Sequence, residues 1–191
     1  PEGFPLGMEE VLRHILTAAG DDPIVAASGT VSRGLYGVRD SEGQPHGRDF
    51  LTVGAVGECS SVAMGVAAQQ PDSTVWCIEG DFSLIMDMGS MALIGPTGPR
   101  NLIHIVLNTS SGDTDLVGVA MACGYKAAAR AENIEQLDFL IMEHRPEEGP
   151  MFLEVKCSPG TAASAGVPET TPKENKESFM EYLGGKRASR P

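Results

Sequence analysis

Asp81 and Asn108 are the residues whose types and spacing point most directly to chemistry. Asp81 stands just after the apolar run Val75-Trp76-Cys77-Ile78, which reads as a buried strand. Asn108 closes a second apolar run, Leu102–Leu107. In an alternating β/α fold the distance between them is one strand–helix–strand crossover. That places a carboxylate and an amide side by side at the carboxyl ends of neighbouring parallel strands, in the crevice where open α/β sheets bind ligands. Both groups are hard oxygen donors suited to Mg²⁺, which usually arrives with phosphates. The pair therefore predicts a metal-bridged phosphate or diphosphate site.

Three Gly-containing strand ends could cradle such a group: Ser28-Gly29-Thr30, Gly54-Ala55-Val56-Gly57 and Gly80-Asp81-Phe82-Ser83. Each opens a predicted helix, whose first amides and dipole favour an anion. Taken singly, each is an ordinary β–α turn. Three in consecutive units, with Asn108 beyond them, make a stronger case. No GxGxxG follows the first strand and no GxxxxGK[ST] occurs, so neither a dinucleotide fingerprint nor a P-loop lysine is present.

The elements that must position these residues follow from the hydrophobic pattern. Met8, Val11, Leu12, Ile15, Leu16 and Ala19 recur at helical spacing. Strands are expected at Ile24–Ala27, Phe50–Val53, Thr74–Ile78, Leu102–Leu107, Lys126–Ala129 and Met151–Val155. Helices are expected at Ser60–Ala68 (rich in small residues), Leu84–Ile94, Leu116–Ala122 and Ile134–His144. A polar linker, 157–171, leads to a C-terminal helix, 172–184, with Thr171 as N-cap and Pro172 behind it. Alternating elements with near-continuous apolar strands predict an α/β fold, a three-layer α/β/α sandwich around a mainly parallel six-stranded sheet. The 191 residues are read as a single domain.

A composition of 41% hydrophobic and 21% charged residues is that of an ordinary globular protein. A net charge of −12 argues against nucleic acid and against an anionic membrane surface. No signal peptide or membrane-spanning run is evident, so a cytoplasmic location is expected. Cys59, Cys77, Cys123 and Cys157 form no CxxC pair and read as reduced structural thiols. His104 reads as a core histidine, and Met86, Met88 and Met91 as core packing.

Gly80-Asp81, an intervening helix and then Leu107-Asn108 resemble the thiamine-diphosphate motif, Gly-Asp-Gly followed by Asn-Asn. The likeness spans nearly the whole chain. Arg48–Gly57, Ser60–Gly65, Asn101–Asn108, Ala122–Tyr125 and Thr171–Lys176 look like the C-terminal, diphosphate-binding half of phosphonopyruvate decarboxylases. Sulfopyruvate decarboxylases are close relatives. These stretches argue against an acetolactate-synthase-like member of the wider group.

The resemblance implies thiamine diphosphate and Mg²⁺ as cofactors. It makes Asp81 a metal ligand, with Thr109 at the second ligand position beside Asn108, and a backbone carbonyl two residues further on. Ser28, Gly29, Thr30, Gly54, Gly80 and Ser83 fall where the diphosphate is held, and Ser83 could donate to a phosphate oxygen. Val56 takes the position, usually Met, that holds the cofactor bent. Phe82 replaces the motif's last Gly, so its ring must point away from the diphosphate. Glu58 stands where the related decarboxylases usually have His. The loop after Thr109 is shorter than the family's mobile loop: it is either truly deleted or left out of the chain as written.

Family members also need a Glu from a pyrimidine-binding domain, and nothing here looks like that domain. The resemblance therefore implies one half of a split enzyme, an αβ or α2β2 hetero-oligomer whose partner subunit, of similar size, supplies the Glu. The substrate would be a small anionic 2-oxo acid, phosphonopyruvate first and sulfopyruvate second, with a place in phosphonate biosynthesis. Its acid group needs cations, and Arg33, His46 and Arg48 lie in loops expected near the cofactor end, unless they are simply solvated surface charges. A degenerate, non-catalytic scaffold or regulatory subunit is the reading from another class.

Overall fold

Six short apolar segments pair into one sheet because each is flanked by helices that cover both faces. In the computed structural model, which describes residues 4–110, 114–145, 148–159 and 167–188, the strands are β1 (Ile24–Ala26), β2 (Asp49–Leu51), β3 (Val75–Gly80), β4 (Leu102–Asn108), β5 (Ala127–Ala131) and β6 (Met151–Lys156). Their order is β2-β1-β3-β4-β6-β5, and every pairing is parallel. The chain steps outward from β1 to β2 and then returns to place β3 on the other side of β1. Such a reversal opens a crevice at the carboxyl ends of the strands. It falls between β1 and β3, where Ile24 registers with Trp76 and Ala26 with Ile78.

Among the described residues the α-helices are α1 (Met8–Ala19), α2 (Thr30–Ser41), α3 (Cys59–Gln69), α4 (Asp81–Met86), α5 (Met91–Thr97), α6 (Leu116–Ala122), α7 (Ile134–Glu143) and α8 (Pro172–Ala188). Strand side chains alternate between two cores. Ile24, Ala26, Ile78, Ile105 and Leu153 meet α1, α2 and α7 on one face. Val25, Cys77, Val106 and Phe152 meet α3, α5, α6 and α8 on the other. This is the three-layer α/β/α arrangement that the alternation of elements predicts, with the sheet wholly parallel.

The expected helix over Leu84–Ile94 is broken in two. Between α4 and α5 lies a 3-10 turn, Met88–Ser90. There Ser90 Oγ donates to the Asp87 carbonyl at 2.8 Å and lies 2.9 Å from Ser60 Oγ on α3. Local side-chain bonds of this kind compete with the helix ladder. Of the three methionines expected in the core, Met91 is fully buried, Met88 packs at its edge, and Met86 is exposed beside Phe82 and Ile85.

At the opposite end of the sheet, Arg39 from the end of α2 forks onto Asp49 of β2, both buried. Asn175 of α8 then completes the edge of β2. Its Nδ2 donates to the Asp49 carbonyl (2.8 Å) and its Oδ1 accepts from Leu51 N–H (2.9 Å). An edge strand covered in this way offers less for another chain to pair with. The start of α8 carries a capping box. Thr171 N–H donates to Glu174 Oε2 (2.8 Å) and Glu174 N–H donates to Thr171 Oγ1 (3.3 Å). The linker expected at 157–171 lies partly outside the described residues. Among those described, no helix is long and apolar enough to cross a membrane.

Candidate functional site

The carboxyl ends of β1, β3 and β4 and the first turns of α2 and α4 enclose a cleft of about 300 Å³. Ser28, Gly29, Thr30, Val56, Gly80, Asp81, Phe82, Ser83 and Thr109 line it, with Met8, Val31, Leu107 and Pro159. Gly29 has φ +94°, and a Cβ built there would meet nothing within 4 Å. A Cβ on Gly80 would come no nearer than 3.9 Å to Val31 Cγ2. Both glycines therefore leave open space where a ligand can approach the backbone. Gly54 also has a positive φ, +73°, but is not among the lining residues.

Asp81 begins α4 and is only 5% exposed. Its Oδ2 accepts from Ser110 N–H at 3.0 Å, which ties the end of β4 to the start of α4. On the other side, Ser28 N–H donates to Thr52 Oγ1 (2.9 Å), and that hydroxyl donates to the Ala26 carbonyl (3.1 Å). The segments after β1, β2, β3 and β4 are thus tied to one another in pairs around the cleft.

Asn108 departs from expectation. It is fully buried and does not line the cleft, and its Nδ2 donates across the sheet to Glu154 Oε1 on β6. Parallel strands alternate their side chains, so Leu107 and Thr109 face the cleft and Asn108 faces away. Glu154 also accepts from Arg130 Nε (2.7 Å) and pairs with Lys156 Nζ (3.0 Å). Burial pushes its carboxyl up, but Arg130, Lys156 and Asn108 together outweigh that and hold it below the usual range. Close by, burial and then the Asp81 charge push the Cys157 thiol up to about 12.

Ser83 is a second correction. Its hydroxyl proton goes to Glu79 Oε2 (2.6 Å), inside the fold, so it has none for a phosphate. Glu79 Oε1 lies 2.7 Å from His104 Nε2, and His104 Nδ1 lies 2.8 Å from Tyr125 Oη. His104 is thus the satisfied core histidine expected of it, but in a polar chain that leads to the cleft.

The three candidate cations separate. Arg33, in the first turn of α2, borders a smaller cleft of about 180 Å³ that shares Ser28 and Gly29 with the main one. His46 and Arg48 precede β2 and stand at the amino end of the sheet, away from the crevice. His46 stacks on Tyr36 with ring centroids 4.0 Å apart. Arg48 is held by the Gly20 carbonyl and by Asp21 Oδ1. Their expected nearness to the site fails because a parallel strand separates its two ends.

Residues 36–112 match the thiamine pyrophosphate enzyme, C-terminal TPP binding domain. The chain is 32% identical over 174 residues to a phosphonopyruvate decarboxylase of Streptomyces viridochromogenes, covering 85% of this chain and 42% of that protein. It is 31% identical to the same enzyme of Streptomyces hygroscopicus, covering 92% of this chain and 44% of that one. It is 28% identical to the sulfopyruvate decarboxylase subunit beta of Methanothermobacter thermautotrophicus, covering 92% of this chain and 95% of the subunit. These matches support a C-terminal, diphosphate-binding domain of the kind found in thiamine pyrophosphate-dependent decarboxylases. The chain spans less than half the length of the phosphonopyruvate decarboxylases it matches and nearly the whole of the beta subunit.

The cleft fits the cofactor that the domain match names. Two open glycines border the space for a diphosphate. The Asp81 carboxylate and the Thr109 hydroxyl offer hard oxygen donors at its edge. The backbone carbonyl expected at residue 111, and the short loop around it, lie outside the described residues. Composition and motif spacing gave no hint of Glu79 and Glu154, which organise the neighbourhood. The available signal was a lone carboxylate in each of two apolar strand runs, Val75–Gly80 and Met151–Lys156.

Proposed function

We propose that this chain is the diphosphate-binding component of a thiamine-diphosphate- and Mg²⁺-dependent decarboxylase that converts phosphonopyruvate to phosphonoacetaldehyde and CO₂. The observation that carries this reading is the cleft itself: Gly29 and Gly80 open toward the same space that Asp81 and Thr109 border. Asp81, Thr109 and a carbonyl after β4 would hold the Mg²⁺. Ser28, Gly29, Thr30 and the amides at the start of α4 would hold the diphosphate. Once bound, the cofactor supplies the electron sink for loss of CO₂, and the protein supplies position, dryness and electrostatics. Val56 would support the cofactor from below. Arg33, in a helical first turn that contains no acidic residue, would be the cation that meets the substrate's acid group.

A pyrimidine-binding domain would complete the site with its Glu, on a partner chain of similar size. Support comes from the apolar rim: Val56, Phe82, Ile85 and Met86 are 50%, 68%, 42% and 60% exposed. A patch of this kind marks a covered surface. Sulfopyruvate is the second substrate reading, favoured by the match to nearly the full length of a beta subunit. The test is affinity purification from the native host, followed by CO₂ release from each 2-oxo acid with thiamine diphosphate and Mg²⁺. A stoichiometric partner and turnover of phosphonopyruvate are expected. A complex that neither binds the cofactor nor turns over either acid would instead support a scaffold role.

A further inference from the structure

Resting on the cofactor reading above, we propose that Glu79, backed by His104 and Tyr125, is a positioning residue that holds the first turn of α4 through Ser83 and so sets where the Asp81 carboxylate stands. Glu79, His104 and Tyr125 are 0%, 0% and 3% exposed. Glu79 lies two positions before Asp81 on the same strand edge, and Ser83 lies two positions after it in the helix. The bond between Glu79 Oε2 and Ser83 Oγ (2.6 Å) therefore closes a loop around Asp81.

The hydrogens in this chain run one way. With His104 neutral and protonated on Nε2, Tyr125 donates to His104, His104 donates to Glu79, and Ser83 donates to the other Glu79 oxygen. Each of these polar atoms then has a partner around one carboxylate. Burying a carboxylate inside an apolar strand is costly where a Val or Ile would pack. The position gains direction in return: one oxygen is fixed by His104 on β4, itself backed by Tyr125 after α6, and the other faces Ser83 on α4. Cys77 Sγ lies within 4.8 Å of the ligating atoms of Glu79 and His104. Those two residues, however, already spend their facing atoms on each other.

The experiment uses the chain with whatever subunit co-purifies. It reads hydrogen–deuterium exchange at the amides of Asp81–Ser83, the melting temperature, and the affinity for thiamine diphosphate with Mg²⁺ by calorimetry. Ser83→Ala is expected to speed exchange in that turn and to weaken Mg²⁺-dependent cofactor binding by about 10- to 100-fold, as loss of a support behind a metal ligand does. Its melting temperature should stay close to that of the unaltered chain, and Ser83→Thr should restore both signals. Glu79→Gln is expected to keep slow exchange: once His104 takes the other tautomer and donates from Nδ1 to Tyr125 Oη, the Gln amide can donate to His104 Nε2 while Ser83 still donates to its oxygen.

Weakened binding with unchanged exchange in Ser83→Ala would make the hydroxyl a direct phosphate donor and overturn the proposal. So would unchanged binding, or fast exchange in Glu79→Gln. Loss of cofactor binding in Asp81→Asn is the separate control. If that variant binds like the unaltered chain, the cofactor reading itself fails.

Discussion

Asn108 Nδ2 donates to Glu154 Oε1, so the amide that the spacing places beside Asp81 is turned across the sheet to β6. Glu154 is fully buried and gathers Arg130, Lys156 and Asn108 on its two oxygens. It serves as the electrostatic anchor of the carboxyl ends of β4, β5 and β6.

Removing that charge has a predictable cost. Glu154→Gln leaves two cations with a weaker acceptor, and hydrogen bonds to charged groups are each worth about 1.5–3 kcal/mol. A loss of roughly 2 kcal/mol in urea unfolding at neutral pH is expected on that basis. The pH dependence follows from linkage. The folded-state carboxyl is held below its ordinary 4.5, so its contribution is complete above 4.5 and is lost as pH falls through the lower folded value. Unfolding curves taken on either side of that window should converge for the wild type and Glu154→Gln at the acid end. Parallel curves at every pH would contradict the role assigned to Glu154.

Asp81→Asn tests the metal reading directly. The carboxylate is nearly buried and borders the cleft, so neutralising it should not harm the fold. Mg²⁺ with thiamine diphosphate should stabilise the unaltered complex by about 2.7 kcal/mol at a hundredfold excess over Kd. For Asp81→Asn the same addition should leave the melting temperature where it was. An equal stabilisation of both proteins would place the metal elsewhere.

Phe82 is 68% exposed at the mouth of the cleft, where the family motif has a glycine. Truncating it to Ala should change the chain's own stability by no more than about 0.5 kcal/mol, as for other surface positions. If the rim packs against a pyrimidine-binding domain, Phe82→Ala should weaken association by about 2 kcal/mol, the scale of a buried aromatic anchor. Sedimentation of the mixed subunits would measure this. Unimpaired association would move the partner's surface off α4.

Much of this arrangement was legible in the residues because local signals agreed with one another. Each predicted strand overlaps an observed one, since a buried parallel strand leaves a plain apolar run. The glycine turns fell at the cleft because strand ends and helix starts fix them there. What stayed hidden depended on side-chain direction or on register. Asn108 faces Glu154 because of the pleat, and Ser83 turns inward because the Glu79 carboxylate stands just before it at the end of β3. His46 and Arg48 are close to β2 in sequence yet stand at its amino end. The break at Met88–Ser90 came from a serine contact to α3 that no helical pattern records.

The thiols offer a last test, of the core itself. Cys59, Cys77 and Cys157 are fully buried, and burial raises all three above their ordinary range, Cys157 to about 12. Cys123, after α6, is partly exposed. The thiolate is the reactive form, so protonated, enclosed thiols stay inert. Mild alkylation of the native chain, read by peptide mass spectrometry, should modify Cys123 and spare the other three until denaturant is added. Cys59 Sγ and Cys77 Sγ lie 3.6 Å apart between α3 and β3, so early modification of either would require that face of the sheet to open. Labelling of Cys77 at the rate of Cys123 would mean that the core holding Glu79 and His104 is far looser than this packing allows.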